Sequence, residues 1–460
     1  MLSCFTTAAS NIVAIEPICQ GSFAKWLTTQ NDFVKNVTSI NNFVAEPNTV
    51  CLLTQQDGKL DKVLLGIKSA DDFLAFGCLP KMLPAGCYGL NAPNFSVAQL
   101  EHAAIGWGMG SYQFAHYKKP QKILAQLLCQ ENYDEIATIV SSIFWVRDLI
   151  NTPASDLNPE KLAAVAENLA KEFKANLQVV AGEELRKNFP AVYAVGCGSK
   201  RAPLLIDLQF GASNAPKIVL VGKGVCFDSG GLQLKSSDGM LLMKKDMGGA
   251  AHALGLARMI MAAKLPINLR VIIPAVENLP SGNSLKPGDI ITTRKGLTIE
   301  VANTDAEGRL ILADALTLAA EWQPQLILDF ATLTMAARVA LGTDIVALFT
   351  PNDQLATKIM AAMNAAQEPV WRMPLYQPYL ELLQSENADF KNVTATTPPT
   401  GGAITAALML QQFVPAEMQW AHFDMNAYND QAKPGKPIGG EAECLRGVFA
   451  YLHSYSYTSK

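Results

Sequence analysis

Lys217 to Ala251 reads KIVLVGKGVCFDSGGLQLKSSDGMLLMKKDMGGAA and threads Lys223, Asp228, Lys235 and Asp246 through glycines and small residues. A second stretch, Asn303 to Leu310, reads NTDAEGRL and adds Asp305, Glu307 and Arg309. Acids and lysines in a glycine-rich turn pack poorly, but they suit the holding of metal ions and the polarising of a carbonyl. Asp228, Asp246, Asp305 and Glu307 are four carboxylates with no histidine among them. Gathered in one place they would repel one another severely, and two divalent cations would remove that repulsion. A carboxylate-rich set suits hard or borderline ions such as Mg, Mn or Zn. Two such ions about 3.5–4 Å apart can activate a water and stabilise a tetrahedral oxyanion. The two lysines then need separate roles, a neutral one as a nitrogen ligand and a charged one at the oxyanion.

Extended backbone from Glu300 to Glu307 would turn Asp305 and Glu307 to one side, because alternate strand residues share a face. Gly308 then breaks the chain, and Leu310 to Trp322 follows with helical periodicity and Arg309 at its start. An anion there would meet Arg309 and free backbone N–H groups together. Asp246 likewise precedes a helical pattern, Gly248 to Ala263, where a carboxylate is favoured. Blander readings compete. DSGG and DMGG are also turn sequences, since Asp and Gly dominate turns. Cys226 has no histidine near it in sequence and reads as a small buried apolar residue rather than a nucleophile. Gly222-Lys223 does not complete a phosphate-binding GxxxxGK[ST], because Gly224 follows the lysine. His252 and His422 lie in apolar surroundings and read as satisfied packing residues.

An α/β frame must position these groups. At 460 residues the chain exceeds one ordinary core, so two domains are expected. The reading is an N-terminal α/β domain over 1–140, a helix end and linker over 141–157, and a catalytic domain over 158–460. Residues 1–146 hold nine lysines and no arginine, and Arg147 is the first. In that segment Val50 to Thr54, Lys62 to Lys68 and Gly86 to Asn91 read as strands, and Ser96 to Gly108 as a helix. Its histidines, His102 and His116, are isolated and read as structural or surface residues. Tyr133 to Ile150 reads as a long helix, and Asn158-Pro159 opens the next. Beyond it Leu177 to Val180, Leu204 to Phe210, Ile218 to Val221 and Leu269 to Pro274 read as strands. Leu326 to Leu333 is a continuous apolar run, as in a mostly parallel sheet covered by helices. In open sheets of this kind ligands gather beyond the carboxyl ends of the strands, where both charged stretches lie. TATTPPTGG (394–402) reads as the mobile loop.

Hydrophobic content of 49% and charged content of 17% describe a packed chain. A formal net charge of −4 with no basic block argues against nucleic acid as a main partner. Nine scattered cysteines without a CxxC argue against a disulfide framework and fit a reducing compartment. The first residues lack the basic region of a signal peptide, and no apolar window is long enough to span a membrane. A cytoplasmic location is expected.

VGKGVCFDSGG followed by Lys235, DMGGAA and NTDAEGRL together resemble the cytosol (leucyl) aminopeptidase family of dinuclear metallopeptidases. RDLINTPAS (147–155), DFATLT (329–334), GGAITAALML (401–410) and AHFD (421–424) extend the likeness over residues 145–450. The resemblance implies a small N-terminal α/β domain and a larger mixed-sheet domain between helices, zinc-exopeptidase-like in fold. It implies release of the N-terminal residue from peptides, as in peptide catabolism. Lys223, Asp228, Asp246 and Glu307 would hold the tighter ion. Asp228, Asp305 and Glu307, with the Asp305 carbonyl, would hold the more exchangeable one. Mn or Zn is implied, with Mg or Co as further choices. The substrate α-amine would meet an ion and Asp246, Lys235 would polarise the scissile carbonyl, and Arg309 would hold a bicarbonate as general base.

Met243, Thr332 and Met335 would line the pocket for the N-terminal side chain. Met335 stands where the family carries glycine (TLTMAA for TLTGA), and AHFDMNAY (421–428) replaces HLDIAG, so that pocket should be narrowed or reshaped. A homohexamer, a trimer of dimers with sites facing an interior cavity, is also implied. Two alternatives stay open: a dipeptidase for short substrates such as cysteinylglycine, and a non-catalytic DNA-binding or architectural member of the fold. The complete ligand set with Lys235 and Arg309 weighs against the second.

Overall fold

The computed structural model describes residues 2–119, 122–394 and 400–458. The chain forms two compact units, the first built from residues up to Phe144 with Asn429–Ile438, the second from Trp145–Tyr428 with the residues after Ile438. The central part of the expected mobile loop, 395–399, lies outside the described residues.

The first unit holds a six-stranded sheet in the order Phe5–Thr6, Gln126–Leu128, Cys87–Leu90, Ile12–Cys19, Leu60–Ile67, Val50–Thr54. Its neighbours are parallel except the last pair, which is antiparallel. The three expected strand runs are all strands, and the expected helix is Val97–Gly110. Ser96 starts that helix with a reciprocal cap: its hydroxyl accepts from the Gln99 N–H while the Gln99 side chain accepts from the Ser96 N–H.

Tyr133–Asn151 is one continuous helix. The first arginine of the chain falls on it: Arg147 is fully buried, and its guanidinium meets Glu441 at 2.9 Å. A charge sealed from water this way needs its partner, and losing either half strands the other.

The second unit is organised by a nine-stranded mixed sheet. Trp420–Asp424, Leu326–Ala331, Lys217–Gly222 and Asn268–Asn278 run parallel at its centre. Antiparallel strands flank them, Val346–Phe349 on one side and Leu204–Phe210 on the other. Asn268–Asn278 runs past the expected Leu269 to Pro274 because its far half pairs with a second short strand, Gly224–Asp228. Helices Gly248–Ala262 and Gly308–Glu321 are buried almost all round, as expected of helices set against a sheet in a large core.

Glycine sets how closely the first of these helices approaches the strand ends. A Cβ on Gly249 would fall 2.0 Å from the Phe330 carbonyl oxygen, and one on Gly222 would fall 2.6 Å from the Ala250 Cα. The contact pins Lys223 between two elements: its N–H donates to Phe330 O at 3.0 Å, and its carbonyl accepts from the Ala250 N–H at 2.9 Å. Among the described residues no helix is long and apolar enough to cross a membrane.

Candidate metal centre

The four parallel strands end at Gly222, Asn278, Ala331 and Asp424. Lys223 follows the first and Thr332 the third, so the site stands beyond the carboxyl ends of the sheet. Lys223 is buried, with Nζ 2.7 Å from Asp246 Oδ2 and 2.9 Å from Glu307 Oε1. It also donates to the Thr332 carbonyl at 3.1 Å. Lys235 Nζ lies 2.7 Å from Asp228 Oδ2 and pairs with Asp305 Oδ1. Each ammonium therefore bridges two carboxylates. Oxygens of Asp228, Asp305 and Glu307 all lie within 4.8 Å of one another.

Electrostatics follow from that crowding. Burial, then the neighbouring Glu307 and Asp246 charges, push the Asp228 carboxyl well above its usual range. Burial also raises Asp305, and pushes Asp246 up to about 6 against the pull of Lys223. Glu307 is buried as deeply, yet Lys223 and Lys235 outweigh desolvation and hold it low. Burial works against the charge on both lysines, but the carboxylates around them keep both protonated.

Local geometry explains how each acid is held. Asp228 ends a strand, and its Oδ1 accepts from the Gly230 N–H at 2.8 Å and from Asn278 Nδ2 at 2.9 Å. Gly230 and Gly231 have φ of +88° and +69°, which L side chains rarely adopt, so the DSGG turn needs both. Asp246 lies in the short 3-10 turn Met243–Met247, where the Thr332 hydroxyl donates to its Oδ1 at 2.8 Å.

The expectation for Asp305 and Glu307 needs correction. The chain is not extended from Glu300 to Glu307: the strand ends at Glu300, and Glu307 already has helical φ −70° and ψ −34°. A side-chain-directed turn replaces the strand. Asn303 Oδ1 accepts from the Asp305 N–H at 2.8 Å, and Asn392 Oδ1 accepts from the Ala302 N–H at 2.8 Å. Such local bonds compete with strand pairing. The two acids still converge, through a turn.

Gly308 matters for a different reason from the other glycines. A Cβ there would lie 2.6 Å from Lys223 Cε and 2.8 Å from Nζ, inside contact distance. Gly308→Ala is expected to displace the Lys223 amine and lower kcat/KM at least 10-fold, with a cooperative thermal transition retained. Wild-type kcat/KM in that variant would show that the Lys223 position is immaterial.

Arg309 sits on the second residue of the Gly308–Glu321 helix, and its Nη1 donates to the Asn392 carbonyl at 2.6 Å. Its Nε is buried with no hydrogen-bond partner. Burial lowers the guanidinium to about 10, with Glu307 and Asp424 opposing.

Met243, Thr332 and Met335 line the same cavity of about 300 Å³ as Lys223, Lys235 and the four acids. A larger cavity, about 670 Å³ in the first unit, has no carboxylate in its lining. His252 and His422 stay out of the cluster. His252 Nδ1 meets the Gly248 carbonyl at 2.7 Å, and His422 pairs with Asp329. Cys226 is buried, and desolvation pushes its thiol far up, which suits packing and not attack.

Several further residues shape the site. Asn278 Nδ2 ties Asp228 to the Thr304 carbonyl at 3.0 Å. Asn392 spans the NTDAEGRL turn and Arg309. Asp424 anchors the Thr332 loop through the N–H groups of Leu333 and Thr334 at 3.0 and 3.1 Å. Lys245, beside Asp246, and Arg338, three residues beyond Met335, also line the cavity. For Asn278 a signal existed: it is a polar residue at the end of an apolar strand.

The donor set fits a pair of divalent cations. It offers four carboxylates and one buried amine, without histidine or thiolate. Asp246 Oδ2 and Asp305 Oδ1 are buried, and each faces a lysine ammonium inside the cluster. Oxygen-rich sites of this kind select hard or borderline ions.

Residues 144–446 match the catalytic domain of the cytosol aminopeptidase family, and residues 13–130 match the N-terminal domain of the M17 aminopeptidases. The chain belongs to the cytosol aminopeptidase family. The crystal structure of the cytosol aminopeptidase from Coxiella burnetii is similar with a TM-score of 0.95 and 48% identity, covering 98% of this chain and 99% of that one. The bottromycin maturation enzyme BotP in complex with Mn is similar with a TM-score of 0.87 and 32% identity, covering 96% of this chain and 99% of that one. The probable cytosol aminopeptidase of Roseiflexus castenholzii is 42% identical over 377 residues, 77% of this chain and 76% of the relative. As a cytosol aminopeptidase family member, the chain is a leucine-aminopeptidase-like hydrolase of a metal-dependent family, and it carries that family's two-domain α/β architecture.

Proposed function

We propose that this chain releases N-terminal residues from peptides with two divalent ions, Mn or Zn, held by Lys223, Asp228, Asp246, Asp305 and Glu307. The crossing of two lysines with four carboxylates in one cavity carries the reading. Bound there, the ions would supply Lewis-acid polarisation and an activated water.

The chain's own groups divide the remaining work. Lys223 would give up its proton to ligate, a role supported by its nitrogen lying between Asp246 and Glu307. Lys235 keeps its proton and donates to the carbonyl oxygen as that oxygen turns negative. Asp246, held by the Thr332 hydroxyl, would meet the substrate's free α-amine, which would restrict cleavage to N-termini. Arg309, with its buried unpartnered Nε, suits a bicarbonate-sized anion that would provide the general base. A cytoplasmic homohexamer is the assembly we assign, by family likeness.

Hydrolysis of leucyl p-nitroanilide before and after chelation tests the reading. Activity is expected to disappear with chelator and to return on adding Mn or Zn. Full activity in the chelated protein would count against it. Comparing dipeptides such as cysteinylglycine with longer peptides separates a general aminopeptidase from a dipeptidase.

A further inference from the structure

We propose that Arg338 is a substrate-recognition residue whose guanidinium binds a carboxylate of the substrate in the active-site cavity. The inference rests on the aminopeptidase reading and goes beyond it by naming what the cavity selects. Arg338 is the only charged residue between Thr332 and Leu341, a stretch otherwise small or apolar. It lines the cavity together with Met243, Thr332, Leu333 and Met335. Its Nη1 is buried without a hydrogen-bond partner, and no carboxylate pairs with its guanidinium among the described residues. Desolvating a guanidinium N–H with no acceptor is costly, and a ligand carboxylate would remove that cost.

Its placement is fixed by the fold. Arg338 sits on the short helix Met335–Leu341, whose first turn is capped by Thr334 Oγ1 accepting from the Ala337 N–H at 3.0 Å. Asp424, at the end of a central strand, holds the residues just before it. The arginine is therefore presented from an anchored element, which suits recognition.

Charge in the cavity points the same way. Its four carboxylates are the groups proposed to hold the ions, so a loaded site has no acid left to pair with Arg338. Lys245 adds a further cation to the wall, its ammonium donating to the Asn426 carbonyl at 2.8 Å. A lysyl or arginyl side chain would meet like charge there, whereas a carboxylate would meet opposite charge. The methionines and Leu333 supply apolar wall for the methylenes that carry it.

Two sources offer that chemistry: an acidic side chain on the first residue, or the free C-terminal carboxylate of a dipeptide. Two ratios of kcat/KM, each measured within one Mn-loaded enzyme preparation, distinguish them. Glutamyl over glutaminyl p-nitroanilide reports the side chain, and Leu-Gly over Leu-Gly amide reports the C-terminus. In the wild type one of these ratios is expected to exceed 10, and Arg338→Ala and Arg338→Gln are each expected to bring it down about 10- to 100-fold. Arg338→Lys should keep part of it. Because each ratio compares two substrates on one preparation, a partly folded variant does not change it. Wild-type ratios near one, or ratios unmoved by both neutral substitutions, would overturn the proposal. Hydrolysis of leucyl p-nitroanilide by the same wild-type preparation would leave the aminopeptidase reading standing in that event.

Discussion

Lys235→Ala is expected to lower kcat for leucyl p-nitroanilide by about 100- to 1,000-fold, the usual effect of removing one donor to a developing oxyanion. The geometry separates this lysine from its neighbour. Lys223 is buried and meets Asp246, Glu307 and a backbone carbonyl, so its amine points into the ligand cluster. Lys235 is partly exposed at the cavity wall, with a side-chain exposure of 16%, and can turn toward a substrate carbonyl. Its backbone is fixed, since its N–H donates to the Ser229 carbonyl at 3.0 Å in the DSGG turn. Alanine should therefore leave the loop and the metal content unchanged, with KM altered less than kcat. Lys235→Arg should not restore turnover, because a planar fork on a longer stem cannot place one donor at the same point. The measurements are kcat and KM alongside bound metal per chain. Near wild-type kcat in Lys235→Ala would remove Lys235 from the mechanism.

How much of this was readable in advance depended on the range of the interactions involved. The strand runs could be read because the central sheet is buried on both faces, which leaves apolar runs such as Leu326 to Leu333 in the sequence. The charged stretches could be read because the residues that ligate and the glycines that turn the chain are close together in each. Asp305 and Glu307 could be assigned to one site, but not their backbone. The turn that joins them is set by Asn392, nearly ninety residues on, whose side chain accepts from the Ala302 and Asn303 N–H groups. The roles of Asn278 and of Asp424, which closes AHFD, are hidden from the sequence for the same reason. Each is one polar residue at a strand end, and its partners lie 50 and about 90 residues away. Asn429–Ile438 joins the first unit although it lies within the sequence of the second, and no local pattern announces such a return. Arg338 is a lone charge in a stretch of small and apolar residues, and the cavity's charge emerges only once the fold has gathered its lining.

Glu307→Ala is expected to abolish hydrolysis and, separately, to remove the stabilisation that added metal gives. Glu307 meets both halves of the cluster: Lys223 lies 2.9 Å from its Oε1, and it has an oxygen within 4.8 Å of oxygens on Asp228 and Asp305. If it bridges both ions, losing it weakens both sites, whereas losing Asp305 would weaken chiefly one. The substitution should spare the fold. Glu307 contributes its backbone carbonyl to the start of the Gly308–Glu321 helix, accepting from the Leu310 N–H at 3.0 Å, and alanine keeps that bond. Lys223 keeps Asp246 at 2.7 Å, so its charge is not stranded. In the wild type, ligand at 100 times its Kd adds about 2.7 kcal/mol to unfolding, a rise in Tm that calorimetry resolves. The metal-free variant should unfold cooperatively and show almost no rise on titration with Mn or Zn, while Asp305→Ala should keep part of it. An equal rise in Glu307→Ala and wild type would place the ions elsewhere. A rise lost equally in Glu307→Ala and Asp305→Ala would show that Glu307 has no bridging role beyond that of Asp305.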